Sequence, residues 1–217
     1  MPNWCSNSVV LFHSDPKMIA KAKKGFKAGK FAYTFCPTPK ALQIVSGSVN
    51  DPVEQNKLDE QQVKNRKKYG YEDWYDFQTN EWGTKWDFGA ENGVQEVEGG
   101  LQLTFETAWC APLALYSKLE ALGFSVEAMY YECGMSFCGM YAEGEDDFYD
   151  LSSMSSDTIA VTIPEVLDEA FCISENIANY ESEEDNDADP GDMDGDFDSA
   201  MASAGFGTDE DYNHYEY

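Results

Sequence analysis

No lysine or arginine follows Lys118 in this 217-residue chain, although 27 aspartates and glutamates do. The first 118 residues balance 14 basic against 14 acidic side chains, so the whole formal charge of −27 belongs to residues 119–217. Such a field repels a free phosphate backbone and attracts a basic protein surface, above all one that normally holds DNA or RNA. Nucleic acid is therefore not the expected partner of the full-length chain; a basic protein is. Histidine is nearly missing, with His13 and His214 alone. The six cysteines, at positions 5, 36, 110, 133, 138 and 172, include no Cys-x-x-Cys pair, which argues against a zinc site. They read as reduced, mostly buried thiols of an intracellular protein. A Cys–His catalytic pair would have to use His13. Gly-x-Gly-x-x-Gly and Walker-type phosphate loops are absent. No apolar run approaches the ~20 residues of a membrane span. The opening MPNWCSNSVVLF lacks the basic start, long apolar stretch and cleavage site of a signal peptide. The expectation is a cytoplasmic protein with no cofactor, no metal and no membrane contact.

What the chain does have is aromatic mass. Tyr71–Trp86 holds three of the five tryptophans, Trp74, Trp82 and Trp86, with Tyr71, Tyr75 and Phe77 among them. Side chains of this size bury ~150–250 Å² each and dominate any core they enter. Their spacing fits a helix closed by Gly83, which tolerates positive φ. A core helix is one reading, and an aromatic platform for bases or sugars is the other.

Residues 5–12 read as a first strand, and Ser14-Asp15-Pro16 as the start of a helix that ends near Gly29. Phe31–Phe35 reads as a brief strand. Residues 45–68 are a polar insertion with a helix across Asn56–Lys68. Leu101–Thr107 alternates as a half-buried strand, and a helix opens at Pro112 with Leu115, Leu119 and Leu122 on one side. Phe124–Glu132 and Met135–Ala142 form a hairpin, and Asp157–Ile163 alternates as a further strand. Pro164–Ile177 reads as a helix. The expected fold is an α+β, ferredoxin-like sandwich spanning residues 1–180, its mainly antiparallel sheet covered on one face by helices.

Residues 181–217 carry 14 acidic and no basic side chains, with few aliphatics. Such a composition predicts a disordered acidic tail. Its interaction segment is Glu183, Glu184, Asp185, Asp187, Asp189, Asp192, Asp194, Asp196 and Asp198. Asp185–Asp196 spaces its acids as a calcium loop does, but Pro190 stands where that loop needs glycine and Asp196 where it needs glutamate.

Four segments bear a family likeness in order: Met1-Pro-Asn-Trp-Cys-Ser-Asn7; Glu72–Phe77 followed by Glu81-Trp-Gly-Thr-Lys-Trp-Asp87; Phe105-Glu-Thr-Ala-Trp-Cys-Ala-Pro112; and Tyr130-Tyr-Glu-Cys-Gly-Met135 leading to Gly139. Over about residues 1–142 the chain resembles the YubB ferredoxin-like domain family of phages, prophages and plasmids. The resemblance implies a ferredoxin-like core and a mobile-element origin, and no reaction. The matched Trp4, Asn7, Trp82, Thr84, Lys85, Trp86, Thr107 and Trp109 come from separate stretches that one sheet can gather into an aromatic-walled pocket. The favoured reading of the same residues is a filled core with satisfied turns, because tryptophan is highly buried on average. The expected function is that of a non-catalytic mobile-element accessory interaction protein whose acidic C-terminal part engages or masks a basic, nucleic-acid-binding host or phage protein. The alternatives are a single-stranded nucleic-acid module using sheet aromatics and a small-ligand enzyme with a Trp-lined pocket.

Overall fold

The computed structural model describes residues 2–187. Strand β1 (Trp4–Phe12) leads into α1 (Pro16–Lys27), which Asp15 caps by accepting the Lys17 N–H at 2.9 Å. Next come α2 (Phe31–Phe35), α3 (Pro52–Tyr69) and α4 (Trp74–Glu81). Strands β2 (Val94–Val97) and β3 (Gly100–Ala108) form a hairpin, and α5 (Leu113–Ala121) crosses back to β4 (Ser125–Glu132). β5 (Phe137–Ala142) and β6 (Glu145–Asp150) continue as a meander. Helices α6 (Ser156–Thr162), α7 (Glu165–Phe171) and α8 (Ile173–Asp187) follow.

The six strands form one antiparallel sheet in the order β2-β3-β1-β4-β5-β6. Its first four strands, with α1 and α5 as crossovers, make the split β-α-β pattern of a ferredoxin-like sandwich. The alternation of β1 sets the core: Cys5, Asn7, Val9 and Leu11 share one face with Leu101, Leu103, Phe105 and Thr107 of β3 and with Val126, Ala128, Tyr130 and Glu132 of β4. Ala22 and Phe26 of α1 and Leu115, Tyr116 and Leu119 of α5 are buried in the same core. Phe88 stacks on Phe105 at 4.2 Å, and Phe26 meets Phe105 edge-on at 5.7 Å. Burying each of these large apolar side chains contributes ~1.5–3 kcal/mol.

The chain divides into two units, one ending at Ser174 and the other beginning at Glu175. Helices are not confined to one face of the sheet. Tyr131 points away from the main core, and its ring lies 6.1 Å from Phe171 of α7. Cys138 is fully buried on that same side of β5. Leu151, Ile159, Ile163, Leu167 and Ile173 are buried outside the main core cluster.

Two expected strands are helices. Phe31–Phe35 has no sheet partner to take, because β3 and β4 already flank β1. Its N-terminal N–H groups are instead capped by Asp87, which accepts from Ala32 at 2.7 Å and Tyr33 at 2.9 Å. The stretch read as the strand Asp157–Ile163 is instead α6, started by the Ser155 cap and ended at Ile163. Ile159 and Ile163, four apart, face inward, while Val161 is 84% exposed. The helix expected over residues 164–177 is broken at Cys172, which adopts left-handed φ of 51°. Leu122, expected on the buried side of α5, is exposed. The insertion helix α3 starts earlier than expected, with Pro52 in its first turn and Asp51 as its cap. α8 runs to Asp187, into the stretch read as an acidic tail. Asp189, Asp192, Asp194, Asp196 and Asp198 lie outside the described residues.

The helical assignment of α6 is tested by truncation. Ile159→Ala and Ile163→Ala should each cost about 2–5 kcal/mol in urea denaturation. Val161→Ala should stay within about 0.5 kcal/mol of the parent.

Candidate binding site

Trp4, Trp86 and Trp109 converge. Trp4 starts β1, Trp86 ends the turn after α4, and Trp109 sits between β3 and α5. Their ring centroids are 6.0 Å (Trp4–Trp86) and 6.4 Å (Trp86–Trp109) apart, and they remain 47%, 39% and 41% exposed. The Lys85 ammonium lies 4.7 Å from the Trp86 ring, 5.3 Å from Trp109 and 5.6 Å from Tyr75. Each such cation–π contact contributes ~0.5–1 kcal/mol at an exposed site. The result is an open aromatic ridge with one ammonium on it.

The other four residues of the sequence constellation are sealed beneath the ridge and hold it. Trp82 is buried and donates its indole N–H to the Cys36 carbonyl at 2.8 Å. Asn7 donates to Thr107 Oγ1 at 2.9 Å and to the Cys5 carbonyl at 2.8 Å, and its amide oxygen accepts from the Tyr116 hydroxyl at 3.3 Å. Thr107 in turn donates to the Cys110 carbonyl at 2.7 Å, bracing the turn that carries Trp109. Thr84 donates to the Ala108 carbonyl at 3.3 Å, and the Cys110 thiol to the Gly83 carbonyl at 3.0 Å. Gly83, at φ 81°, lets this turn press on α5: a Cβ there would sit 3.2 Å from the Leu113 nitrogen. Trp109 itself is held at φ 69°, with its N–H bonded to the Asn3 carbonyl at 2.9 Å. Left-handed backbone costs a non-glycine residue ~1–2 kcal/mol, so the surrounding bonds impose that conformation.

Beside Trp109 opens a cleft of about 610 Å³ that the sequence did not reveal. Trp109, Leu113, Phe137, Phe148 and Met135 wall it, and Tyr130 and Asp146 supply its polar floor. The Tyr130 hydroxyl donates to Asp146 Oδ1 at 2.8 Å. It reaches that far because Gly139 lies beneath the ring, where a Cβ would stand 2.3 Å from the tyrosine oxygen. Burial pushes the Asp146 carboxyl above its usual range, against the pull of the Tyr130 bond. Burial also raises the Tyr130 phenol and the Cys110 thiol, which keeps both neutral. Glu132, buried, accepts the Gly134 and Met135 N–H groups at 2.7 Å each and so fixes the turn that presents Met135.

Both His13 nitrogens are engaged with backbone: Nδ1 accepts from Asp15 N at 2.9 Å, and Nε2 lies 3.1 Å from the Leu122 carbonyl. The expectation of mostly buried thiols does not hold: Cys5 and Cys138 are buried, but Cys110, Cys133 and Cys172, all on turns or helix ends, are exposed. Burial raises the Cys5, Cys36 and Cys138 thiols, which makes them poor nucleophiles. Among the described residues no group of three or more His, Cys, Asp or Glu is arranged to hold a metal ion. No described helix is long and apolar enough to cross a membrane. The described ion pairs join Lys23 to Glu96, Lys27 to Glu91, Lys64 to Glu60, Arg66 to Glu72 and Lys118 to Glu81, all with carboxylates from the neutral half. Residues 183–187 of the acidic segment lie in the helical backbone of α8.

No family model matches this chain, and no curated protein matches it. A crystal structure of the protein api92 from Yersinia pseudotuberculosis, family-model DUF1281, aligns with a TM-score of 0.35 at 11% identity, over 69% of this chain and 98% of that one. A likeness at that level bears on neither fold nor function.

The division between support and ridge is measurable. Asn7→Ala should cost about 2–4 kcal/mol in chemical denaturation, since it strips partners from buried groups. Trp86→Ala should cost about 1 kcal/mol, because the ring is only partly buried. Gly139→Ala should cost about 1–3 kcal/mol by displacing Tyr130.

Proposed function

We propose that this chain is a non-catalytic interaction protein, a cytoplasmic accessory factor of a phage or plasmid that engages or masks a basic, nucleic-acid-binding protein of the host or phage. The YubB resemblance supplies the mobile-element origin and rests on the quoted strings alone. The observation that carries the docking role is the ridge: three tryptophans, Trp86 paired with Trp4 on one side and Trp109 on the other, left open to water, with Trp109 on a strained turn. Tryptophan is enriched among the residues that dominate binding energy at protein interfaces, and open apolar patches of this kind mark partner surfaces. The acidic half supplies the charge that chooses a basic partner and speeds encounter with it. Both His13 nitrogens bond to backbone and the Cys5 and Cys138 thiols are buried, which favours binding over catalysis.

A second reading, single-stranded nucleic-acid binding, draws on Lys85 beside the same stacked rings. The sheet aromatics Phe105, Tyr130 and Tyr141 are buried on the face covered by α1 and α5, so any stacking would use the ridge instead of the sheet.

Pull-down with the tagged full-length chain from host and phage-infected lysates should retain a basic protein at low salt and release it at high salt. A Trp86→Ala/Trp109→Ala variant should retain at least about tenfold less, at the scale of an interface hot spot. Recovery of no basic protein, or retention indifferent to salt, overturns the proposal. Tight binding of single-stranded oligonucleotides by residues 1–180 would favour the second reading.

A further inference from the structure

We propose that the cleft beside Trp109 is an anchor pocket for one arginine side chain of a basic partner, with the Asp146 carboxylate as its counter-ion. The inference rests on the basic-partner reading above and adds the residue that does the recognising. Among the described residues, Asp146 is the one carboxylate lining the cleft, and no lysine or arginine lines it. Its Oδ1 accepts from the Tyr130 hydroxyl, which holds the carboxylate at the cleft while the residue stays open to water. The remaining walls are ring faces and a thioether: Trp109, Phe137, Phe148 and Met135. Phe137 and Phe148 lie 5.5 Å apart and tilted, and Tyr130 stands 6.3 Å from Phe137.

A carboxylate at the end of an aromatic slot fits a planar cation better than a spherical one. Guanidinium stacks on ring faces, binds a carboxylate through two parallel N–H groups, and is weakly hydrated. An ammonium gives up more hydration on entering and has one point of charge to offer. Glu145, Asp147 and Asp150 on the same edge strand add a negative field that draws cations toward the cleft mouth. The register assigns the parts: Asp146 and Phe148 lie on the helix side of β6, and Asp147 on the opposite side. Two nearby features are built to keep the cleft open. Gly139 makes room for Tyr130 to reach across β5, and Glu132 fixes the turn bearing Met135.

The test uses the full-length protein, a synthetic peptide of alternating arginine and serine, and its lysine counterpart, followed by calorimetry and tryptophan fluorescence. The arginine peptide should bind about tenfold more tightly than the lysine peptide, at the scale of a charge-assisted bond. Asp146→Asn should weaken the arginine peptide by about tenfold and erase its advantage over lysine. Asp147→Asn removes the same charge from the other face of the strand and should change affinity by about twofold or less. Met135→Arg, at an exposed turn position, should fill the cleft with its own guanidinium and block the peptide. Equal losses in Asp146→Asn and Asp147→Asn, equal binding of the two peptides, or full binding by Met135→Arg each overturn the pocket while leaving a diffuse polyanion reading intact. Failure of both peptides to bind the parent protein at low salt overturns the basic-partner reading itself.

Discussion

The amide of Asn7 is the polar pin on which the working end of the molecule turns. It sits fully buried on the central strand, where a polar side chain is costly unless every group finds a partner. Here it ties its own strand to β3 through Thr107 and to α5 through Tyr116. Thr107 relays the constraint to Cys110, and Cys110 to Gly83. Two turns that are far apart in the chain are thereby locked together, and both carry tryptophans outward. The left-handed backbone at Trp109 is the strain this bracing sustains. An apolar residue at position 7 would pack equally well against Val9 and Phe105 but would leave the turns unsecured.

Charge is laid out on the same frame. The five described ion pairs consume carboxylates of the neutral half. The acids of β6 form a row along the sheet edge, and one of them, Asp146, lines the cleft beside its ring faces. The residue stays exposed at the cleft, and one hydroxyl orients its carboxylate, so an entering cation meets a positioned partner beside ring faces. The ridge and the cleft share Trp109, so one partner segment can cover both.

Much of this was legible in the sequence, and what was not has identifiable causes. The alternation of Leu101–Thr107 and Phe124–Glu132 gave two central strands, because one face of each is buried and the period is unambiguous. The tryptophan constellation was legible as a set, but not its division into exposed rings and buried braces. Trp82 and Trp86 stand in nearly the same local context, and only tertiary contact separates them. The segment Phe31–Phe35 looks like a strand by composition. Its helix depends on a cap from Asp87, which is 55 residues away and invisible to any local window. Ile159 and Ile163 fit period two and the four-residue helical step alike, and Ser155 as a cap was the signal that could have decided between them. Strand β6 was missed because Glu-Asp-Asp-Phe-Tyr-Asp is poor in strand-forming aliphatics. The cleft was missed with it, since half its polar floor and one wall come from that strand.

The two ends of the sheet carry a consequence of their own. An unpaired strand normally invites a neighbouring molecule to add its own, which is how soluble domains polymerise into fibrils. Here one margin, β2, is only four residues long, and the other, β6, bristles with four acids. A second copy approaching β6 would set like charge against like. The composition that suits a cationic guest thus also keeps the protein from stacking on itself, and acidification that neutralised those carboxylates would remove both properties together.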